Sequence, residues 1–423
     1  MPEHSCFDNL SNLPGKHLYT MMADTTLTPL PKGFRAAGIA AQIKKNGQPD
    51  LALIVSDTAC TGAALFTTNK VKAAPVLFDQ ALMRTGASQL RAVLINSGCA
   101  NACTGSQGIL NCEDTARLVA RSLADQYLLP SQVFVMSTGV IGVHLPMAKL
   151  SAGIPLAARA LATAGLESAA RAIMTTDTVA KIAVKQVAFG PTTYTIAGIA
   201  KGSGMIHPNM GTMLSVVMTD VAVDSQLLAR LLRHSADHSF HRISVDGDTS
   251  TNDTLLVLAN GASGVIVESA EQIEQFQAAL TDICISLARQ MARDGEGATK
   301  LITLEITGAR DEHMADNVGR TIAKSPLVKT AFYGEDANWG RVIAAAGYSG
   351  EEVDPDTMSL WFGQVLVFAK GLPTQYSEEA ATQAIRTREV NVHLDLGLGT
   401  AQATIWTCDL SHDYVTINGR YRT

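Results

Sequence analysis

The chain has 423 residues, of which 47% are hydrophobic and 17% are charged, and its formal net charge is −6. A chain of this length is two to three domains long, and this composition is typical of a compact protein with a large core. Because no polybasic run is present, we expect neither a nucleic-acid-binding protein nor a membrane-surface protein.

The cysteines and the N-terminal segment bear on where the protein works. Seven cysteines at scattered spacings are an odd number without a secreted framework, so a reducing cytoplasm is expected. Residues 1–28 contain no signal-peptide core and no Arg, and they are predicted to be a flexible tail ahead of the fold. No apolar run reaches membrane-spanning length, so no membrane association is expected.

The N-terminal half alternates predicted strands with predicted helices. Strands are predicted where short apolar, β-branched runs lie between turn residues, and helices where apolar residues recur at helical spacing. Residues 96–105 are predicted to be a polar loop. The predicted strands are 50–55, 91–95, 133–136, 180–189 and 192–200, and the predicted helices are 113–128, 156–164 and 166–173.

Two places in this half put polar groups at the end of a predicted element. Thr138 and Gly139 follow strand 133–136 and offer a hydroxyl beside an unblocked backbone N–H. Such a pair can stabilise an oxyanion, although a plain turn explains the two residues equally simply. Thr175 and Thr176 follow a predicted helix, where capping and turn formation are the alternative to ligand binding.

The segment from Lys201 to Asp220 changes character at its middle. Residues 201–211 contain three glycines and a proline, which predicts a loop, and residues 212–219 form an apolar strand. Thr212 therefore begins the strand and follows Gly211. A threonine hydroxyl needs an adjacent base, and cleavage before Thr212 would supply its own α-amine. The hypothesis is self-cleavage at this bond, and the alternative is an ordinary threonine at the start of a core strand.

The C-terminal half has predicted helices at 225–240, 271–293 and 316–332 and a predicted strand at 301–306. His234, His238 and His241 lie at a spacing compatible with metal ligands. Their one acidic neighbour, Asp237, is predicted to face elsewhere, so no metal site is predicted. Glu296 follows helix 271–293 and is either an ordinary loop acid or a partner for a ligand amine.

Several segments together resemble one enzyme family. The stretch K-G-S-G-M-I-H-P-N-M-G-T-M-L at Lys201–Leu214 resembles the self-cleavage and nucleophile segment of the ornithine acetyltransferase (glutamate N-acetyltransferase) family of arginine biosynthesis. Further similar segments are V-D-G-D-T-S-T-N-D at Val245–Asp253, K-T-A-F-Y-G-E-D at Lys329–Asp336 and the C-terminal residues Thr416–Thr423. The resemblance extends from about residue 31 to residue 423. The family usually has Ala where Gly211 stands.

The resemblance implies a fold and a division of the chain. It implies an α+β protein with sandwiched mixed β-sheets and covering helices, self-cleaved into two chains that stay together. The expected parts are the tail at 1–28, an α chain at 29–211 and a β chain at 212–423. An α2β2 heterotetramer is the expected assembly.

The resemblance also implies a reaction and a set of site residues. Acetyl would pass from N2-acetyl-L-ornithine to L-glutamate through an acetyl-Thr212 intermediate, with Thr138 and Gly139 as the oxyanion hole. No metal and no bound cofactor are expected, and acetyl-CoA stays open as a second acetyl donor. The residues expected to bind substrate are Thr175 (with Thr176 as second choice), Lys201, Thr212, Glu296, Asn418 and Thr423.

Two other functions stay open on the sequence. One is an amidase or aminopeptidase that uses the same self-cleaved nucleophile with water as acceptor. The other is a non-catalytic binding protein that keeps the chain uncut.

Overall fold

The computed structural model describes residues 29–86, 89–123, 127–207 and 213–420. Four sequence predictions fall outside the described residues: the tail at 1–28, the cleavage residue Gly211, the nucleophile Thr212 and the C-terminal Thr423.

The described chain alternates strands and helices along its whole length. The strands are β1 (Phe34–Ile39), β2 (Leu51–Phe66), β3 (Leu90–Cys99), β4 (Val133–Val140), β5 (Lys181–Phe189), β6 (Thr192–Lys201), β7 (Leu214–Thr219), β8 (Ala222–Val223), β9 (Ile243–Ser244), β10 (Thr254–Ala259), β11 (Ile266–Val267), β12 (Leu301–Ala309), β13 (Ser359–Phe362), β14 (Val365–Ala369), β15 (Leu372–Pro373), β16 (Glu389–Asp395) and β17 (Ala401–Cys408). The helices are α1 (Ala74–Gly86), α2 (Gly105–Ser122), α3 (Met147–Arg159), α4 (Leu166–Ala172), α5 (Ser225–Asp237), α6 (Ala270–Arg293), α7 (Glu312–Lys324), α8 (Pro326–Tyr333), α9 (Trp339–Gly347), α10 (Glu378–Ile385) and α11 (His412–Arg420).

The long strand β2 joins two layers of one continuous sheet. The strand order is β4-β3-β2-β10-β7-β6-β5, with β1 paired to β2 beside this path. The first part of β2 pairs with β1 and β3, and its last part pairs with β10. Residues 57–59 between these parts are exposed, while their flanks are buried. Because Ile54 and Ile95 share a core with Val216 and Leu256, the two layers face each other.

Helices cover the outer faces of both layers. Successive side chains of a strand point to opposite faces, so a strand buried on both sides must be covered on both sides. Leu53 and Leu94 pack with α2 and α3, and Val217 and Leu255 pack with α5 and α6. The predicted α+β fold with sandwiched sheets and covering helices is therefore confirmed.

The C-terminal residues form a second sheet with its own core. Its strand order is β15-β14-β13-β16-β12-β17-β9, and helices α7 to α10 contribute to the core on it. Trp406 and Cys408 of β17 pack instead into the core that contains α6. This sharing of β17 joins the second sheet to the sandwich.

Several predicted element boundaries are wrong, each for a physical reason. Residues 96–99 are the end of β3, and Thr138 and Gly139 lie in β4, because β3 and β4 stay in register through Cys99 and Val140. Helix α3 begins at Met147 rather than at 156 and carries Pro155 inside it. Helix α1 was not predicted. In the part of the chain that the structure describes, no helix has the length and apolar character needed to cross a bilayer.

Candidate active site

A cleft of about 110 Å³ brings together six of the expected site residues, and the second-choice Thr176 lines it as well. It lies where the ends of β4 and β6 meet the loops after α4 and before β10, together with residues that follow α6 and residues of α11. The six residues are Thr138, Gly139, Thr175, Lys201, Glu296 and Asn418. They come from parts of the chain that are far apart in sequence, so the cleft is a product of the tertiary fold.

The end of strand β4 supplies Thr138 and Gly139. Gly139 has φ +130°, and a Cβ at this position would lie 2.4 Å from the carbonyl carbon of Gly98. Only glycine fits this close approach of two strands, so the Gly139 N–H has no side chain of its own beside it. The Asn252 side-chain amide donates to Ala100 O at 2.7 Å and to Ser137 O at 2.8 Å, which fixes the ends of β3 and β4.

Lys201, at the end of strand β6, points its amine at Thr138. Its Nζ donates to Thr138 Oγ1 at 3.1 Å, and the two residues are only 3% and 4% exposed. Burial lowers the pKa of Lys201, and the carboxylate of Asp177 acts in the opposite direction. The described residues contain no carboxylate within ion-pair distance of Lys201. The site therefore holds a buried amine whose described hydrogen-bond partner is a hydroxyl.

Asp177 organises the wall of the cleft behind Lys201. Its carboxylate accepts hydrogen bonds from the backbone N–H groups of Thr175 at 2.9 Å and Gly202 at 2.7 Å. It also pairs with Lys181 Nζ at 2.6 Å, and Lys181 pairs with Asp294 at the same distance. Burial alone would raise the pKa of Asp177, but Lys181 and Lys201 beside it lower that pKa to about 2. Asp177 therefore keeps a negative charge beside Lys201.

Both candidate threonines after α4 line the cleft, but their hydroxyls differ. Thr176 Oγ1 is hydrogen-bonded to Ser203 Oγ at 2.7 Å. The Thr175 hydroxyl has no hydrogen-bond partner among the described residues, although its backbone N–H is held by Asp177. A ligand can therefore bond the Thr175 hydroxyl without breaking an existing contact.

Glu296 and Asn418 form another part of the cleft lining. The Asn418 side-chain amide donates to Glu296 Oε2 at 2.8 Å, and the Glu296 backbone N–H donates to Ser203 O at 2.7 Å. Glu296 is 8% exposed. Gly204 leaves room for it, since a Cβ there would lie 2.4 Å from the Glu296 carboxylate. A carboxylate held in this way is suited to bind a ligand ammonium group.

The segment between β9 and β10 also lines the cleft, through residues to which the sequence analysis assigned no role. Asp246 accepts hydrogen bonds from Met205 N at 2.6 Å and Ile206 N at 2.9 Å, and the Tyr414 hydroxyl donates to it at 3.3 Å. Burial raises the pKa of Asp246. The density of Asp, Ser, Thr and Asn in 246–253 was the available signal, and neither that density nor the resemblance assigned roles to single residues.

The first described residue after Thr212 is held next to this cleft. Asp253 is fully buried, and its Oδ1 accepts a hydrogen bond from Met213 N at 2.8 Å. Leu214 pairs with Lys201 across the antiparallel strands β6 and β7. The described chain therefore resumes, at Met213, close to Lys201.

The histidines of α5 and the turn after it lie outside the residues that line the cleft. His238 Nε2 lies 3.1 Å from Glu312 Oε1, and His241 Nδ1 lies 2.8 Å from Asp237 Oδ1. The expectation that Asp237 faces away from the histidines is wrong, because the turn that follows α5 brings His241 back to Asp237. Among the described residues, no group of three or more His, Cys, Asp or Glu side chains is arranged to hold a metal ion.

Comparison with known proteins gives one consistent result. The sequence model of the ArgJ family matches residues 35–423. The arginine biosynthesis bifunctional protein ArgJ of Symbiobacterium thermophilum is 50% identical over 397 residues, covering 93% of this chain and 98% of that protein. The protein of the same name from Geobacter sulfurreducens is 49% identical over 395 residues, covering 93% and 99%. Among solved structures, ornithine acetyltransferase complexed with ornithine from Mycobacterium tuberculosis is 39% identical, covering 44% of this chain and 97% of that chain, with a TM-score of 0.38.

Proposed function

The chain belongs to the ArgJ family, and on that premise we propose that it transfers the acetyl group of N2-acetyl-L-ornithine to L-glutamate in arginine biosynthesis. The observation that supports this most directly is the cleft, where Thr138, Gly139, Lys201 and Glu296 converge beside the chain that leads from Thr212. The relatives are named bifunctional, so acetyl-CoA is proposed as a second acetyl donor to glutamate.

Activation would begin with cleavage of the Gly211–Thr212 bond. The Thr212 hydroxyl attacks the carbonyl carbon of Gly211, and the C–N bond breaks as the acyl group moves from nitrogen to oxygen. Water then hydrolyses the resulting ester, which leaves a carboxylate on Gly211 and restores the hydroxyl of Thr212. The freed α-amine of Thr212 is the base that the hydroxyl lacked before cleavage.

The first half-reaction forms an acetyl ester on Thr212. The hydroxyl oxygen attacks the acetyl carbonyl while the α-amine takes the hydroxyl proton. The carbonyl oxygen becomes an oxyanion, which the Thr138 hydroxyl and the Gly139 N–H would stabilise by donating hydrogen bonds. When the tetrahedral intermediate collapses, the C–N bond to ornithine breaks, and the α-ammonium of Thr212 returns the proton to the leaving nitrogen.

The second half-reaction is the same chemistry with glutamate as the attacking amine. The neutral α-amine of glutamate attacks the ester carbonyl, and the Thr212 amine accepts the proton released by the new C–N bond. The same two donors hold the oxyanion, and the Thr212 oxygen leaves with the proton. No step needs a resident metal or cofactor.

Substrate recognition would use the two opposite charges that line the cleft. Glu296, held by Asn418, would bind a substrate ammonium group, and Lys201 would attract a carboxylate as a point charge. The Thr175 hydroxyl, which has no hydrogen-bond partner among the described residues, would add a neutral hydrogen bond, and Thr423 would be a further substrate-binding residue. The carboxylate contact is common to acetylornithine and glutamate, whereas the contact with Glu296 suits the side-chain ammonium group that only acetylornithine and ornithine carry.

An α2β2 assembly and a cytoplasmic location complete the proposal. The location is supported by the thiols of the described part of the chain, where Cys60, Cys99, Cys103, Cys112, Cys284 and Cys408 are all free.

Mass spectrometry and one assay test the function together. The purified chain should appear as two fragments of nearly equal length, and incubation with acetylornithine should add one acetyl group to the peptide that begins at Thr212. Thr212→Ala should abolish both. Thr193→Ala, which removes an exposed hydroxyl near the opposite end of β6, should change neither. An active chain that stays intact, or an acetyl group on another side chain, would contradict the proposal.

Dependence on glutamate separates acetyl transfer from hydrolysis. In a transferase, glutamate accelerates steady-state release of ornithine and becomes acetylated in equal amount. An amidase or aminopeptidase releases ornithine at the same rate without glutamate, because water is its acceptor.

A further inference from the structure

The contact between Lys201 and Thr138 points to a role beyond substrate binding. We infer that Lys201 is a positioning residue for the oxyanion hole: its ammonium donates to the Thr138 hydroxyl and leaves that hydroxyl's hydrogen to donate to the oxyanion. The inference rests on the proposed acetyl transfer. In this role Lys201 mainly stabilises the transition state. If Lys201 only bound a substrate carboxylate, it would mainly stabilise the bound substrate.

The number of hydrogen bonds that each group can donate or accept fixes the direction of the contact between Lys201 and Thr138. A threonine hydroxyl donates one hydrogen bond and can accept others, whereas an ammonium group only donates. At 3.1 Å from a protonated Lys201, Thr138 Oγ1 must therefore be the acceptor. The described residues offer no competing acceptor for the Thr138 hydrogen, so this hydrogen is available to the cleft.

Burial and the charge of Lys201 strengthen its hydrogen bond to Thr138. A hydrogen bond from a charged donor is roughly twice as strong as a neutral one, and bonds in a chain polarise one another in a low-dielectric site. Lys201 and Thr138 are only 3% and 4% exposed, so water does not weaken the hydrogen bond between them. The Thr138 O–H is thereby a better donor to a developing negative charge than an isolated hydroxyl.

The protonation state of Lys201 decides whether the arrangement works. A neutral amine accepts a hydrogen bond, so it would attract the Thr138 hydrogen and remove it from the oxyanion. Burial lowers the pKa of Lys201, and Lys181 lowers it further. The charged groups that face Lys201 are Asp177, Lys181, Asp253, Glu296 and Lys44. Asp177 and Glu296 favour the ammonium form, whereas burial raises the pKa of Asp253 well above its usual value. The hole is complete in the ammonium form and is lost as pH rises through the lowered pKa of Lys201.

The first test compares single and double variants in the full chain. Acetyl-enzyme formation is measured in single turnover without glutamate, per mole of cleaved chain. In Lys201→Met and in Thr138→Val the rate constant at saturating acetylornithine should fall by about 10²–10³, with little change in the half-saturating concentration. The double variant should fall no further than either single variant. Additive losses, or a Lys201→Met variant with only weaker substrate binding, would overturn the inference.

A matched buried lysine controls for loss of charge in the interior. Lys329 is 2% exposed and its Nζ donates to Thr407 Oγ1 at 3.0 Å, in a contact of the same kind that does not line the cleft. Lys329→Met should lower thermal stability and leave the single-turnover rate constant of the folded enzyme unchanged. An equal loss of rate in Lys329→Met and Lys201→Met would mean that the effect of Lys201 is structural.

The pH dependence of acetyl-enzyme formation tests the inference without a substitution at Lys201. It therefore applies even if the Lys201 variants do not fold. In the unsubstituted chain, the rate constant for acetyl-enzyme formation should fall on the alkaline side as Lys201 loses its proton. In Thr138→Val this alkaline fall should disappear, because no hydroxyl remains to be redirected. An unchanged alkaline fall in Thr138→Val contradicts the inference. Failure of acetyl transfer itself would appear separately, as an unsubstituted chain that forms no acetyl-Thr212.

Discussion

The Asp253 carboxylate holds the backbone N–H of Met213 at 2.8 Å, inside a fully buried environment. Asp253 precedes β10, and Met213 precedes the neighbouring strand β7, where the Thr254 N–H in turn donates to Met213 O at 3.0 Å. The two contacts fix the peptide that follows the predicted nucleophile. The position of Met213 is thus linked to the pairing of two central strands.

Asp253→Ala should slow self-cleavage. Removing the carboxylate leaves a buried N–H without an acceptor, which costs about 1–3 kcal/mol and loosens the peptide next to Thr212. Asp253→Asn keeps an oxygen acceptor and should cleave faster than Asp253→Ala. The measurement is the intact mass of freshly synthesised chain over time.

Asp220 is the matched control for this prediction. It is buried and accepts the backbone N–H groups of Lys32 and Thr195, just beyond the far end of β7. Asp220→Ala should lower thermal stability while cleavage proceeds at the normal rate. If Asp253→Ala behaves in the same way, its contact with Met213 serves stability alone.

Gly204→Ala should damage substrate binding without unfolding the protein. The added methyl would lie 2.4 Å from the Glu296 carboxylate and would displace it from Asn418. We expect a rise of about tenfold or more in KM, since loss of a charged contact costs about 1.5–3 kcal/mol. Gly347→Ala at the end of α9, where nothing lies within 4 Å of the new Cβ, should leave KM unchanged. Similar kinetics for both variants would argue against a role for Glu296 in binding.

Gly139→Ala should abolish activity and lower stability. Its φ of +130° is unfavourable for alanine, and the methyl would meet the Gly98 backbone at 2.4 Å. Gly142→Ala tests backbone strain without a steric clash, because Gly142 has φ +81° and open space around its Cβ position. It should lose about 1 kcal/mol of unfolding free energy from backbone strain and keep most of its activity. Thermal melts and turnover numbers of the two variants provide the comparison.

Thr175→Val should impair substrate binding more than Thr176→Val does. The Thr175 hydroxyl has no partner among the described residues, whereas that of Thr176 already bonds Ser203 at 2.7 Å. Loss of one neutral hydrogen bond to the ligand should raise KM by about tenfold, equivalent to about 1.4 kcal/mol. Thr176→Val should instead lower the melting temperature. The reverse order of KM effects would assign the contact to Thr176.

Asp79→Asn should stabilise the protein at alkaline pH. Asp79 is 1% exposed, and burial raises its pKa well above the usual value despite a 3.1 Å hydrogen bond from Val135 N. The folded state thus keeps a proton that the unfolded state releases above about pH 4. The stability that depends on this proton is lost as pH rises through the raised pKa.

Because asparagine carries no such proton, the gain from Asp79→Asn should be absent near pH 4 and reach roughly 1–3 kcal/mol at pH 8. Denaturant unfolding at the two pH values measures it. The exposed Glu274 supplies the control, since Glu274→Gln should show no comparable pH-dependent gain. A gain that is constant with pH would contradict the assignment of a buried proton to Asp79.

The local sequence was sufficient for several of the longer strands, whereas the sandwich and the site residues were expected from the family resemblance. Apolar, β-branched runs identified β5 and β6 within a residue at each end. Local patterns did less well where polar residues continue a strand, as at Asn96 and Thr138. The Asn96 side chain accepts a hydrogen bond from Ser137 Oγ at 2.7 Å, so polar groups that look like loop are satisfied between β3 and β4.

The sequence by itself determined which segments are buried and, through resemblance, which reaction and which residues to examine. Only the tertiary structure decided that Lys201 meets Thr138, that Asn418 meets Glu296 across 122 positions of sequence, and that the Thr176 hydroxyl bonds Ser203. The periodicity of apolar residues shows which face of a strand or helix is apolar, because it depends only on residues that are close together in sequence. Which hydroxyl, amine or carboxylate lies opposite depends on how distant strands and helices pack, and this packing is decided by the whole chain.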